Sequence, residues 1–368
     1  MLIALVAATL IALLVGQALP RAVDAAPAMW AHIPLALGAL PLIVAAMQHF
    51  VPVLTRSGAT AAWLKGLPLL LMASGALAVS VFAGWLDYGW ITAAALTGLA
   101  GATAMLAWMR QRSRRALGGP HPGLAWYLAA IGCLMAGLAA AALITCLPQW
   151  HAELREFHLH INLYGFIALT AVGTLQVLMP TAARQTDPAV TSRLRTDLKW
   201  ALAGSLLVAT GRAVMLPLAW LGALLWAWVL GRMLWSWWRL HRASLFALHG
   251  APPVLAVSAL GLAAALFADV ADRPHIALLT LFLPGFLMPL VTGAAGVLAP
   301  VWLHPGKPAA VHMAGQLRLN RWTGLRALLF LTAVLLPLFG FRCSGMPAYT
   351  ALVWFGLLFV VWLWRDEA

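Results

Sequence analysis

The sequence predicts an all-α polytopic membrane protein with twelve transmembrane helices in three pseudo-threefold four-helix units. Three observations lead there. The 368-residue chain is 63% hydrophobic and only 9% charged, outside the range of soluble domains. Its apolar runs reach the roughly 20 residues a helix needs to cross a bilayer. A His-Ile pair recurs at the start of every fourth run, at His32-Ile33, His160-Ile161 and His275-Ile276.

The runs divide at charged, proline-rich or glycine-rich breaks. They are read as helices over 1–19, 30–54, 66–86, 89–109, 124–146, 158–181, 199–216, 217–239, 251–270, 274–303, 322–341 and 348–365. The first run contains no Lys or Arg. It therefore lacks the basic n-region of a cleaved signal peptide and is read as a retained helix. The second carries His32, Gln48 and Pro52; the sixth carries His160, Gln176 and Pro180. From His to Pro is 20 residues in both. The seventh and eighth are separated only by Gly211, Arg212 and Pro217. The tenth opens on Pro274-His275-Ile276 and reaches Pro300 after a longer run. This self-similarity implies units of about 1–110, 111–240 and 241–368 within one integral membrane domain.

The net charge of +13 would point to nucleic acid in a soluble chain. Here basic residues crowd the loops after even-numbered helices. Examples are Arg56 and Lys65, Arg110 to Arg115, Arg184 to Lys199, and a last group of Lys307, Arg318, Arg321 and Arg326. The positive-inside rule then places both termini in the cytoplasm of a bacterial-type inner membrane, with the His-Ile starts near the outer face. No nucleic-acid partner is expected. Cys133, Cys146 and Cys343 show no metal-ligand spacing and imply no disulfide.

The sixth helix carries the densest chemistry, His158-Leu159-His160-Ile161-Asn162-Leu163-Tyr164-Gly165. Residues two apart on a helix point about 200° apart, so the two imidazoles serve opposite sides. Ionisable groups at membrane depth face protein or a cavity. Neutral imidazole ligates iron and copper, and helix bundles hold haem between facing helices. His160 and His275 are the first candidates for axial ligands, with His158 and His32 next. Haem propionates favour arginine, and Arg155, Arg273 and Arg342 lie in the outer loops beside these helices. The other histidines, among them His49, His121, His151 and His241, are read as solvated or interfacial. There is no His-His pair, and no carboxylate or lysine falls mid-membrane in this reading, so a dinuclear oxygen site and a proton pump are both disfavoured.

These residues resemble haem–copper oxidase subunit I. In that family a helix carries His-x-His and reaches Pro at the spacing of His160 and Pro180, and another carries one low-spin haem His followed by Pro and Gly, as His275, Pro284, Gly285 and Gly293 do here. Short oxidase-subunit-I-like proteins share a His-Ala-His-x-Asn-x-x-Gly motif, matched here at His158, His160, Asn162 and Gly165. The NnrS family of membrane haem proteins is also similar. Here His-x-His is on the sixth helix rather than the tenth, as if the pattern were rotated by one unit. The rotated resemblance implies that His160 pairs with His275 across a low-spin haem, while His158 faces a second site. A literal alignment instead matches His160 and Tyr164 to the family's copper-ligand His and Tyr.

The expectation is a haem-binding membrane protein with one or two haems of b type. It would act in electron transfer or in handling nitric oxide or another small gas, with Asn162 and Tyr164 beside the cofactor. If an enzyme, it is a non-pumping haem-dependent oxidoreductase. Its partners would be membrane lipid and a redox partner or respiratory-complex subunits. The alternatives are a copper or small-molecule transporter, or an assembly partner of a respiratory complex, on the same fold.

Overall fold

The computed structural model describes residues 1–18, 26–116, 118–271, 280–339, 341 and 345–367, and the regular structure among them is helical throughout. His275, Arg273 and Arg342 lie outside the described residues, as does Cys343. The helices are α1 Leu2–Ala18, α2 Pro27–Thr55, α3 Ala62–Phe82, α4 Trp90–Arg114, α5 Gly123–Ile144 and α6 Pro148–Ala183. They continue as α7 Val190–Ala213, α8 Leu216–Leu245, α9 Pro252–Val270, α10 Phe282–Leu303, α11 Ala309–Leu319, α12 Thr323–Leu338 and α13 Gly345–Glu367. Among the described residues nine helices are long and apolar enough to cross a membrane, or ten if α11 and α12, bent by 47°, form one span. The chain is therefore a helical membrane protein. α1, at 17 residues, is short for a span, and α7 opens with Arg193, Arg195, Asp197 and Lys199.

The chain divides into two compact units. One comprises Ala18–Thr174 and Ala189–Val229; the other comprises Met1–Gln17, Leu175–Pro188 and Leu230–Ala368.

In the first unit, α2 and α6 share an uncommon construction. Each changes from α to π geometry directly after its His-Ile pair begins, over Ile33–Ala39 and Ile161–Ala168. A π segment needs a displaced i to i−4 hydrogen bond. In α6, Asn162 Nδ2 donates to the His158 carbonyl at 2.7 Å, where the π segment begins. In α2, Pro34 has no N–H to donate. α10, in the other unit, also contains a π segment, Phe282–Leu287, around Pro284 and Gly285.

The C-terminal ends of α2 and α6 match as well. Pro52 and Pro180 are followed four residues later by Arg56 and Arg184, both left-handed with φ of 50° and 54°. In each case the next amide returns to the proline carbonyl, Ser57 to Pro52 at 2.9 Å and Gln185 to Pro180 at 3.0 Å. The His–Gln–Pro spacing thus extends to a shared helix stop.

α5 packs against α4 and α6 through small residues, as expected where lipid supplies no hydrophobic drive for helix association. Gly165 faces Cys133, and Gly173 faces Trp126. The Trp126 indole then donates to the Leu194 carbonyl at 2.9 Å and ties α5 to α7. α7 and α8 approach closely through Gly204 and Gly222.

Several boundaries differ from the sequence reading. α6 begins at Pro148, not at residue 158, because the polar stretch Trp150–Glu156 is already helical. His158 and His160 therefore sit two turns or more inside a continuous helix rather than at its mouth. The uncertain break between the seventh and eighth helices falls at Val214 and Met215. Arg326, read as a loop residue, lies in the first turn of α12 and is fully buried. His241, read as solvated, is also buried, with Nδ1 donating to Gln185 Oε1 at 2.7 Å.

Candidate functional site

One region of the first unit gathers His32 from α2, His158, His160, Asn162 and Tyr164 from α6, and Gly137 from α5. The rings of His32 and His158 are nearly parallel, 10° between planes, with centroids 6.2 Å apart. Each ring is fixed through Nδ1. His32 Nδ1 lies 2.7 Å from the Ala28 carbonyl one turn back, and His158 Nδ1 lies 2.8 Å from the Gly137 carbonyl across the helix interface. A carbonyl can only accept, so Nδ1 carries the proton in both rings and Nε2 keeps its lone pair.

Asn162 braces this arrangement. Its amide holds the His158 carbonyl and lies 3.3 Å from His158 Nδ1. Gly137 is required at the contact. A Cβ there would come within 2.9 Å of Asn162 Cγ and 3.0 Å of its Oδ1.

His160 points the other way. It is fully buried, its Nδ1 donates to the Glu156 carbonyl at 2.7 Å, and Glu156 Oε2 lies 3.7 Å from the same nitrogen. The Tyr164 ring lies 6.3 Å from it, 19° from parallel. Tyr164 is itself fixed through its carbonyl, which accepts from Ser205 at 2.9 Å. His-x-His thus divides between two sites, one facing α2 and α5 and one facing the Tyr164 side.

Arg155 lies at the rim, 59% exposed, and donates to Glu156 Oε1 at 3.0 Å. It is oriented by a carboxylate that also adjoins His160, so one charged pair connects the protein surface to the second site.

Aromatic contacts extend the first site outward. Phe82 lies 4.9 Å from His32, Tyr88 lies 6.5 Å from Phe82, and the Tyr88 hydroxyl is 3.3 Å from His151 Nε2 at the surface. Partial burial raises the Tyr88 phenol above its ordinary pKa, and nearby Arg155 opposes that shift.

Among the described residues no three of His, Cys, Asp and Glu converge as a metal site. Gly137, Glu156, Phe82 and Tyr88 were missed from sequence. Glu156 carried a readable signal, one helical turn before His160. Gly137 carried none, because its role exists only across the α5–α6 contact.

No family model, curated protein or solved structure matched the chain.

Proposed function

We propose that this protein is a haem-binding membrane electron carrier, with one haem held between His32 and His158. The observation that supports this reading most directly is the pair of parallel rings whose Nδ1 protons are both committed to backbone carbonyls. Hydrogen bonds from Nδ1 to backbone carbonyls fix the tautomer and would leave Nε2 available to a metal. The near-parallel planes and the 6.2 Å centroid separation would let both rings reach one bound group. Bound haem would supply a one-electron iron couple. The protein's residues would fix the two axial nitrogens, exclude lipid and set the surrounding polarity.

Filling both axial positions favours electron transfer over gas binding at this site. His160 with His275 is the proposed second axial pair, with Tyr164 beside it. Arg155, Arg273 and Arg342 are the proposed propionate partners. The shared π segments and helix stops of α2 and α6, and the π segment of α10, support twelve spans in three related units. The charge bias supports cytoplasmic termini in an inner membrane, with these sites toward the outer face.

A pyridine haemochrome assay and an optical spectrum on protein purified from haem-supplied cells test the proposal. A Soret band with low-spin features is the expected result. Its absence would refute the reading, and copper without haem would move the assignment to metal handling.

A further inference from the structure

The second unit contains a buried charge that none of this chemistry uses. Arg326 is 0% exposed, in the first turn of α12. Its Nη2 donates to the Leu319 carbonyl at 3.0 Å and to Thr323 Oγ1 at 2.9 Å. The Phe355 ring covers the guanidinium, with its centroid 4.9 Å from Cζ. Nε and Nη1 are buried and meet no acceptor. Among the described residues no carboxylate lies within ion-pair distance of it.

An arginine keeps its charge. A fully buried guanidinium with two edges of its plane unmatched carries a desolvation cost. Leu319 and Thr323 take only one of its three nitrogens, so helix capping across the α11–α12 bend explains part of the side chain and leaves the rest.

We propose that Arg326 forms the centre of a buried anion-binding site at the start of α12. The ligand is a compact, weakly hydrated monovalent anion of the halide class. Such an ion loses least on leaving water, supplies the missing charge and accepts several N–H groups at once. Phe355 blocks one face of the guanidinium, so the anion lies in its plane, at Nε or Nη1. The first turn of α12 adds the positive end of a helix dipole.

The test is thermal unfolding of the full-length protein in detergent, titrated with bromide against gluconate at constant ionic strength. The wild-type melting temperature should rise saturably with bromide, as ligand linkage requires. In Arg326→Met the saturable rise should vanish. No bromide-specific rise in the wild type, or an equal rise in the variant, would overturn the site. Should the variant fail to fold, bromide anomalous diffraction from wild-type crystals decides. A bromide peak within hydrogen-bond reach of Arg326 supports the site, and ordered water alone there overturns it.

Discussion

The imidazoles of His32 and His158 face one another across α2 and α6 at 6.2 Å, each with its Nδ1 proton held by a backbone carbonyl. Replacing His32 or His158 with Ala should abolish the low-spin spectrum assigned to this pair and lower the haem content per chain. His160→Ala should leave that component in place. Optical spectra and haemochrome content of the three purified variants provide the check. Retention of the component in both His32→Ala and His158→Ala would exclude the pair.

Much of this was legible in the sequence, for reasons that differ by residue. The His–Gln–Pro repeat of the second and sixth helices was readable because a helix's register survives in residue spacing. The opposite directions of His158 and His160 followed from 100° per residue. The partners did not. Gly137 meets His158 through a carbonyl, a group every residue has, so nothing in the sequence marks it. The π segment of α6 was hidden as well, since residue spacing does not show that Asn162 turns back onto the His158 carbonyl. Arg326 was misplaced because positive-inside counting treats an arginine near a helix start as a loop residue, whereas folding buried it against Phe355.

Gly137→Ala should destabilise the protein by about 1–3 kcal/mol, the usual cost of overpacking. The added Cβ would meet the Asn162 amide, with Cγ at 2.9 Å and Oδ1 at 3.0 Å. Either Asn162 leaves the His158 carbonyl or α5 and α6 separate. Gly132→Ala is the control, since nothing lies within 4 Å of its Cβ position, and helix propensity alone should make it neutral or stabilising. Asn162→Ala should recover part of the Gly137→Ala loss as a positive coupling in a double-mutant cycle. Thermal unfolding of the four proteins measures this. Equal effects for the two glycines would remove the steric argument.

Stability should fall on mild acidification through His121, which lies outside the membrane spans. Its pKa is lowered from 6.5, first by burial and then by the charge of Arg195. Its Nδ1 also accepts the Gly123 amide at 3.1 Å, a bond that protonation would break. The unfolded chain binds this proton more readily than the folded one, so stability rises with pH in the interval between the two pKa values. The contribution is complete above 6.5 and is lost progressively as pH falls from there toward the lower folded value. His121→Gln keeps a polar side chain but cannot titrate. Melting temperatures measured between about pH 5 and 8, where histidine titrates, should decline less for the variant on the acid side. Parallel curves would show that His121 makes no contribution.

Gly261→Ala should be the most damaging of the glycine substitutions in the second unit. Its Cβ would fall on the Gly285 carbonyl and within 2.9 Å of Gly285 Cα, backbone atoms of the π segment in α10. Backbone cannot rotate aside as a side chain can, so α9 and α10 must move apart along their contact. Gly285→Ala instead meets Val334 Cγ2 at 2.5 Å, the tip of a side chain that can yield at the expense of its rotamer. The expected order is therefore Gly261→Ala worse than Gly285→Ala, with the first costing about 3 kcal/mol or more. Gly356→Ala, with nothing within 4 Å, sets the baseline. Unfolding in detergent, read by melting temperature and by folded yield, ranks the three. A Gly261→Ala protein as stable as Gly356→Ala would mean that the close approach of α9 and α10 does not constrain the fold.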